Sequence, residues 1–231
     1  MKRLALYDTT LRDAGSMSVD AKLLVAQALA ERGVDVLEAG YPGASAAEAE
    51  AVARIAREVR GLTIAALAGA NRRDVEAAGR ALTGASRSRI HVFIATSDEK
   101  LAELGMSRHE CLTQAAQAVS RAAELADEVE FSAEDATASD VDFLNAVCQA
   151  AAGAGAHTIN VIDAGQVRPH EFGALLLTVR AALASFSRLS FSAQGPAVAN
   201  TIAAVEAGAD QAHVTMGQAG ALAFTHPTPA D

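Results

Sequence analysis

The sequence contains no tryptophan and few aromatic residues of any kind. Phenylalanine, tyrosine and tryptophan together make up 4% of its 231 residues, whereas 51% of the residues are hydrophobic. A core of this composition has to be built mainly from alanine, leucine, valine and isoleucine. Such side chains favour packed helices over aromatic recognition surfaces. The length falls in the range over which one α/β barrel forms a single domain.

Basic residues are also in short supply. The 19 lysines and arginines are outnumbered by 28 aspartates and glutamates, which leaves a formal net charge of -9. A surface of this charge repels phosphate backbones and anionic lipid headgroups alike. We therefore expect no nucleic acid and no membrane among the partners of this protein.

Cysteine and long apolar runs are equally scarce. Cys111 and Cys148 are far from any CxxC spacing, which predicts reduced thiols in a reducing compartment and leaves a distant pairing open. The apolar stretch at residues 4–7 is too short for a signal peptide. The most apolar helical segment, residues 175–183, is interrupted by Arg180 and falls short of the roughly 20 residues that a membrane span needs. These absences predict a cytoplasmic protein.

Short apolar, β-branched runs recur along the chain and alternate with alanine-rich segments of helical spacing. This alternation is typical of parallel βα units, and eight strands are the number that a closed barrel needs. The predicted strands cover residues 4–7, 34–37, 62–67, 90–95, 129–131, 158–162, 189–191 and 212–215. The predicted helices cover residues 21–32, 46–59, 74–82, 110–125, 141–152, 169–183 and 196–207. We predict a single (β/α)8 TIM barrel over residues 1–231.

The segment after the last predicted strand argues against a long final helix, because it contains Pro227 and Pro229. We expect an incomplete eighth helix, with no lid subdomain and no C-terminal regulatory domain. A missing outer helix would expose apolar strand surface. We therefore expect a homo-oligomer, a hetero-partner or the C-terminal tail to cover it.

Polar side chains are concentrated at the carboxyl ends of the predicted strands, where barrels of this kind place their reacting groups. They are Asp8, Arg12, Asp13, Glu38, Tyr41, Ser97, Asp98, Glu134, Asp135, Asn160, Asp163, Ser192 and Gln194. Converging carboxylates could bind a hard cation such as Mg2+ or exchange protons as acid and base. Arg12 could grip a substrate carboxylate with its planar fork. The structural alternative is that each acid caps a helix or pairs with a basic neighbour.

The six histidines offer no HxH or HxxxH pair, so their spacing predicts no metal site. His91 and His157 stand at predicted strand starts, which is the stability face of a barrel. We interpret His213 as a satisfied core residue. The sequence has neither a serine nucleophile elbow nor a Walker loop.

Five segments, which occur in order over nearly the whole chain, resemble the 2-isopropylmalate synthase and homocitrate synthase family. This family is related to HMG-CoA lyase-like barrels of the pyruvate carboxyltransferase type. The segments are DTTLRD at residues 8–13, GVDVLEAGYP at 33–42, HVFIATS at 91–97, EFSAEDA at 130–136 and AVANTIAAVEAGA at 197–209.

The resemblance implies a (β/α)8 barrel that condenses acetyl-CoA with a 2-oxo acid at a divalent metal ion, Mg2+, Mn2+ or Zn2+. It implies that Arg12 stabilises the enolate and the substrate oxygen, that Asp13 is a metal ligand, and that Glu38 lines the oxo acid pocket. From the resemblance and the strand ends together, we expect Arg12, Glu38 and Glu134 to be catalytic. We expect the substrate to be bound by Asp8, Tyr41, Asn160 and Asp163.

The chain also departs from the family pattern. The family's His-x-His pair at the end of strand seven is missing from residues 189–195, and its ligating asparagine after strand eight is replaced in a shortened loop that closes on Ala221. Of the four protein ligands that the family uses, only Asp13 is present. Ala164 stands where the family has a threonine and Gly69 where it has an arginine, and the loop after Asp98 lacks the family's histidine.

These observations predict a divergent family enzyme that joins or cleaves a carbon–carbon bond between an acyl-CoA and a 2-oxo acid at a reworked metal site. The alternative is a catalytically inactive barrel that acts as a partner subunit or small-molecule binder. A third hypothesis is that an active partner chain completes the site.

Overall fold

A computed structural model of the protein describes residues 3–15, 17–163, 167–186, 190–194, 198–216 and 222–224. Eight parallel strands form the inner wall: β1 Ala5–Asp8, β2 Val36–Glu38, β3 Thr63–Gly69, β4 Ser88–Ala95, β5 Glu128–Glu134, β6 Thr158–Ile162, β7 Ser190–Gln194 and β8 Gln211–Met216. Each strand pairs with its neighbour in chain order, and β1 also pairs with β8. The predicted closed (β/α)8 barrel is confirmed.

The helices surround this wall. In the described residues they are α1 Val19–Glu31, α2 Ala46–Glu58, α3 Arg72–Leu82, α4 Asp98–Glu103, α5 Arg108–Ala123, α6 Val141–Gly153, α7 Pro169–Ala182 and α8 Val198–Glu206. The sequence pattern missed α4, because six residues are too few to establish a helical period. Cys111 on α5 and Cys148 on α6 are free and buried. Over the part of the chain that is described, no helix combines the length and apolarity needed to cross a membrane.

Beyond β8, residues 222–224 form a short ninth strand, β9 Leu222–Phe224, which pairs antiparallel with β8. The predicted incomplete eighth helix concerns residues that are mostly outside the described ranges, as are Pro227 and Pro229.

Local signals set the helix ends. Ser18 and Ser45 cap α1 and α2, since their side chains accept hydrogen bonds from the backbone N–H of Ala21 and Glu48 at 3.2 and 3.1 Å. Pro169 begins α7, where its missing N–H costs nothing. Gly33 follows α1 with a φ of 78°, a left-handed conformation that glycine adopts without strain. Pro196, predicted near the start of α8, lies outside the described residues.

The hydrophobic core lies between the strands and the helices. Along each strand alternate side chains face opposite ways, so Ile90 and Val92 of β4 join the large cluster that also includes Phe131 of β5 and Val147 of α6. This layer is the alanine-rich, aromatic-poor core that the composition predicts.

The interior of the barrel, its lumen, is mostly polar. Bulky branched apolar residues usually fill this space, but here the inward-facing side chains include Arg89, His91, Glu130, Gln211 and His213, all of them buried. In the described part of the chain, a small apolar cluster of Tyr7, Val36 and Ala65 is separate from the main core. Because buried polar groups are costly unless they are hydrogen-bonded, such a lumen has to form a network.

Candidate active site

Arg12 lies at the mouth of the barrel, in the turn after β1. Its guanidinium donates from Nη1 to Glu38 Oε2 at 2.9 Å, from Nε to Asp13 Oδ1 at 2.9 Å and from Nη2 to Asp13 Oδ2 at 3.3 Å. Burial alone would lower the pKa of Arg12, but Glu38 and Asp13 hold it above its ordinary value. These bonds engage three of the five N–H groups of an arginine. The cation is therefore fixed in place with N–H groups left for a ligand.

Glu38 anchors Arg12 from below. It is fully buried, and besides Arg12 it accepts hydrogen bonds from the Tyr7 hydroxyl at 2.7 Å and from His91 Nδ1 at 2.6 Å. Burial by itself would raise the pKa of Glu38, but the attraction of Arg12 and His91 prevails and lowers it to about 2. Glu38 is thus an ionised counter-charge near neutral pH.

The interpretation of His91 as a strand-start residue on the stability face is wrong. β4 begins at Ser88, so His91 is its fourth residue and points into the lumen, where its Nε2 lies 2.5 Å from Ser132 Oγ. The sequence held a signal for this position. Polar side chains alternate with apolar ones along the whole of β5 and at Arg89 and His91 of β4, which indicates a polar lumen.

The ionised state of Glu38 sets the direction of the first hydrogen bond in the network below it. An ionised carboxylate only accepts, so His91 Nδ1 donates to Glu38, while His91 Nε2 and Ser132 Oγ share a hydrogen bond on the other side of the ring. Ser132 Oγ in turn accepts from Asn160 Nδ2 at 2.8 Å. A continuous chain therefore connects Arg12 at the mouth with Asn160 in the lumen.

A second group of buried side chains surrounds Glu130. This carboxylate accepts from Arg89 Nη1 at 2.8 Å, from Gln211 Nε2 at 3.0 Å and from His213 Nε2 at 3.1 Å. Burial tends to raise the pKa of Glu130, but His213, His91 and Arg89 hold it well below its usual range. Burial also lowers the pKa of His213, whose ring stacks on Tyr7 with 4.3 Å between centroids. His213 is buried, as predicted, but its Nδ1 has no hydrogen-bond partner among the described residues, so the prediction of a satisfied core residue is wrong.

Two carboxyl groups near the mouth have raised pKa values, in contrast to Glu38 and Glu130. Asp8 is buried at the end of β1 and accepts from Thr10 N and Oγ1 at 2.9 and 3.0 Å. Burial, with smaller contributions from Asp13 and Glu38, raises its pKa to about 6. Burial and then Asp135 raise the pKa of Glu134, the last residue of β5. Carboxyls with raised pKa values at a cleft are candidates for proton transfer.

Tyr41 is engaged with the neighbouring βα loop. Its hydroxyl donates to Asp74 Oδ2, and burial together with this bond raises its pKa to about 12. A Cβ at Gly69 would lie 3.0 Å from Asp74 Oδ2 and 3.4 Å from the Tyr41 hydroxyl. The Tyr41–Asp74 pair therefore sits against the glycine that replaces the arginine implied by the family resemblance.

Asp163, directly after β6, is hydrogen-bonded to a residue of α8. Its carboxylate accepts from Asn200 Nδ2 at 2.5 Å and from Thr137 Oγ1 at 3.3 Å. Its role in substrate binding stays a prediction, and Ala164 lies outside the described residues.

Two other strand-end residues cap a helix or pair with a basic neighbour, which is the structural alternative to a role in the site. Ser97 caps α4, its hydroxyl accepting from the backbone N–H of Lys100 at 3.3 Å. Asp98 pairs with Arg108 at 2.7 Å.

Asp13 is the metal ligand that the resemblance implies, and both of its oxygens accept from Arg12. Across the described ranges, no three histidine, cysteine, aspartate or glutamate side chains gather into a group that could hold a metal ion. Of the residues in which the family's His-x-His pair is missing, 190–194 are described and contain no histidine, and the altered loop at residues 217–221 lies outside the described ranges. The described donor set does not fit the implied metal site.

Known proteins are similar to this chain in sequence and in fold. The family model described as HMGL-like matches residues 3–223. The chain is 45% identical over 227 residues to a 2-isopropylmalate synthase of Pyrococcus furiosus, covering 93% of this chain and 46% of that protein. It is 44% identical over 228 residues to 2-isopropylmalate synthase 1 of Caldanaerobacter subterraneus subsp. tengcongensis, covering 94% and 57%. The chain thus spans about half the length of the curated relatives it matches.

Solved structures with this fold include an HMG-CoA lyase from Brucella melitensis, with a TM-score of 0.76 and 19% identity over 95% of this chain and 83% of that one. Hydroxymethylglutaryl-CoA lyase from Pseudomonas aeruginosa gives a TM-score of 0.74 at 22% identity over 93% and 77% of the two chains. These likenesses concern the fold. The family match, which extends over nearly the whole barrel, establishes that this chain belongs to the HMGL-like family.

Proposed function

We propose that this barrel forms or cleaves a carbon–carbon bond between an acyl-CoA and a 2-oxo acid, the chemistry indicated by its 2-isopropylmalate synthase relatives. The observation that carries the proposal is the arrangement of Arg12. Glu38 and Asp13 hold its guanidinium at the mouth of the barrel with N–H groups left over.

Arg12 would bind the 2-oxo acid through its carboxylate and carbonyl oxygens, for which a planar guanidinium is well suited. As the new bond forms at the carbonyl carbon, negative charge develops on the carbonyl oxygen. A donor already fixed toward that oxygen stabilises the transition state without having to reorganise. Glu38 is then a positioning residue, because it acts through Arg12.

Glu134 or Asp8 would transfer the protons. One of them removes a proton from the carbon next to the thioester carbonyl, that carbon attacks the carbonyl carbon of the 2-oxo acid, and the resulting alkoxide takes up a proton. Hydrolysis of the thioester by water then releases free CoA. A carboxyl whose pKa is raised toward the working pH suits both directions of proton transfer. We assign no step to a divalent ion, because the described donor set does not fit one.

The proposal is tested by calorimetric titration with pyruvate and with 2-oxoisovalerate, each with and without Mg2+, Mn2+ or Zn2+. Release of free thiol from acetyl-CoA is followed in parallel. We expect a 2-oxo acid to bind, and Arg12→Ala to abolish binding and turnover. Arg72→Ala is the control, because Arg72 is exposed on α3 and pairs with Glu76. Absence of both binding and thiol release under every condition contradicts the proposal.

One observation favours the alternative of an inactive barrel that serves as a partner subunit or small-molecule binder. Both oxygens of Asp13, the described ligand of the implied metal site, accept hydrogen bonds from Arg12. Binding of a 2-oxo acid without thiol release supports this alternative. Thiol release that appears only after a second chain is added supports a site completed by a partner.

A further inference from the structure

Among the residues that the structure describes, three buried polar atoms in the lumen have no hydrogen-bond partner. They are Asn160 Oδ1, Gln194 Oε1 and His213 Nδ1, and none of these residues is more than 3% exposed. A buried polar atom without a partner is uncommon, because it gives up its bonds to water and gains nothing in return. Three of them in one region indicate a place where another molecule supplies the missing bonds.

The three residues lie on adjacent strands, β6, β7 and β8. Asn160 pairs with Ser192, and Ser192 pairs with Gln211. Gln194 lies two residues after Ser192 and His213 two residues after Gln211. Each therefore faces the same side of its strand as that earlier residue and lies closer to the mouth. The unpartnered atoms therefore belong to one side of the lumen.

All three atoms are hydrogen-bond acceptors. His213 Nε2 faces Glu130, an ionised carboxylate that can only accept, so Nε2 carries the proton and Nδ1 of the neutral ring presents a lone pair. Asn160 donates its amide group to Ser132, which leaves the carbonyl oxygen as its free end. Gln194 also presents its amide oxygen. The missing partner must therefore be a donor.

This side of the lumen is connected to the proposed substrate position. Asn160 binds Ser132, Ser132 binds His91, and His91 binds Glu38, which holds Arg12. A small 2-oxo acid that is bound by Arg12 at the mouth has the lumen directly below it.

We infer that Asn160, Gln194 and His213 select a 2-oxo acid whose side chain carries a hydrogen-bond donor such as a hydroxyl group. This inference rests on the proposed function and names the class of its substrate. An apolar branched side chain would cover the three acceptors and leave them unpaired. A carboxylate side chain would bring a further negative charge near Glu38 and Glu130.

The test uses two 2-oxo acids of nearly equal size on the full chain. In 3-hydroxy-2-oxopropanoate a hydroxyl group replaces the terminal methyl group of 2-oxobutanoate. We expect calorimetry to give tighter binding of the hydroxyl compound, on the order of tenfold or more, because a site built for hydrogen bonds discriminates strongly against an analogue that lacks them. 2-Oxoglutarate, whose side chain only accepts, should bind most weakly.

Two variants test whether the lumen acceptors cause the tighter binding of the hydroxyl compound. Asn160→Leu and Gln194→Leu each replace an amide acceptor by an apolar group, and each should reduce the preference for the hydroxyl compound. Asn160→Leu also removes the amide donor to Ser132. Asn145→Leu is the control, because its amide oxygen is also unpartnered but belongs to α6, outside the lumen. Thermal melting verifies that each variant is folded. If Asn160→Leu does not fold, the preference measured with Gln194→Leu tests the inference.

Binding of 2-oxobutanoate as tight as that of the hydroxyl compound, or tighter, overturns the inference and leaves the proposed function standing. A preference that survives both folded variants also overturns it. If neither compound nor any other 2-oxo acid binds, the proposed function fails and the inference fails with it.

Discussion

Glu38 Oε1 and His91 Nδ1 lie 2.6 Å apart in the centre of the barrel. The same carboxylate holds Arg12 through its other oxygen. One buried glutamate thus joins the mouth of the barrel to the network in its lumen, so stability and the proposed activity depend on the same side chain.

Replacing Glu38 by glutamine keeps its shape and removes its charge, which leaves the cation of Arg12 with Asp13 as its remaining described ion pair. Because breaking a buried ion pair strands one charge, we expect the free energy of unfolding to fall by about 3–5 kcal/mol. Urea denaturation at neutral pH measures the change.

Glu58→Gln serves as the control for that experiment. Glu58 pairs with Arg54 one helical turn away, on the surface of α2, and exposed pairs of this kind contribute little. Equal effects of the two substitutions would contradict the assigned role of Glu38.

Asp8 predicts a pH dependence of stability. Its pKa is raised to about 6 in the folded protein from an ordinary value of 3.8, so the folded state binds the proton more tightly than the unfolded chain. This contribution is fully present below about pH 4 and is lost as the pH rises through about 6.

Asp8→Asn removes this titration. The difference in unfolding free energy between variant and wild type should therefore shift in favour of the variant by roughly 2–3 kcal/mol from pH 4 to pH 8. Carboxyl 13C NMR of the wild type should place the midpoint of Asp8 near pH 6. A pH-independent difference, or a midpoint near 4, would rule out the raised pKa.

Asn200 should support the mouth of the barrel through Asp163. Asn200→Ala removes the 2.5 Å hydrogen bond to that carboxylate and the 3.2 Å bond to Val167 O. Loss of hydrogen bonds to a buried carboxylate costs about 1–3 kcal/mol, which thermal denaturation can detect. Amide hydrogen exchange should quicken at the end of β6. Asn145→Ala removes an amide oxygen that has no partner, and a larger loss of stability in that variant would refute this assignment.

Gly69 should tolerate a methyl group poorly. In Gly69→Ala the new Cβ would lie 3.0 Å from Asp74 Oδ2 and 3.1 Å from Asn71 Nδ2. The tyrosine–aspartate pair would have to shift, at a cost of roughly 1–3 kcal/mol. Gly153→Ala provides the comparison, because nothing lies within 4 Å of its added Cβ and it ends α6. It should stabilise the protein by roughly 0.5–1 kcal/mol. The expectation fails if both substitutions stabilise when measured by urea denaturation.

The architecture could be predicted from the sequence because its signals are local. Apolar runs, serine caps and stop glycines act over a few residues. The predicted strand at residues 158–162 coincides with β6, and the predicted helix at 46–59 differs from α2 by one residue. The predicted strand positions likewise indicated which polar residues stand at the strand ends.

The partners of those residues were decided only by the tertiary structure. Arg12 meets Glu38 from β2, Glu38 meets His91 from β4, and His91 meets Ser132 from β5. Asp98 and Asp163, equivalent to the others as strand-end acids in the sequence, form contacts with Arg108 and Asn200 instead. The two-residue period of a strand tells which side chains face inward. Closure of the barrel sets which of them meet, because it brings distant strands to one level, and burial then fixes which carboxyls are ionised.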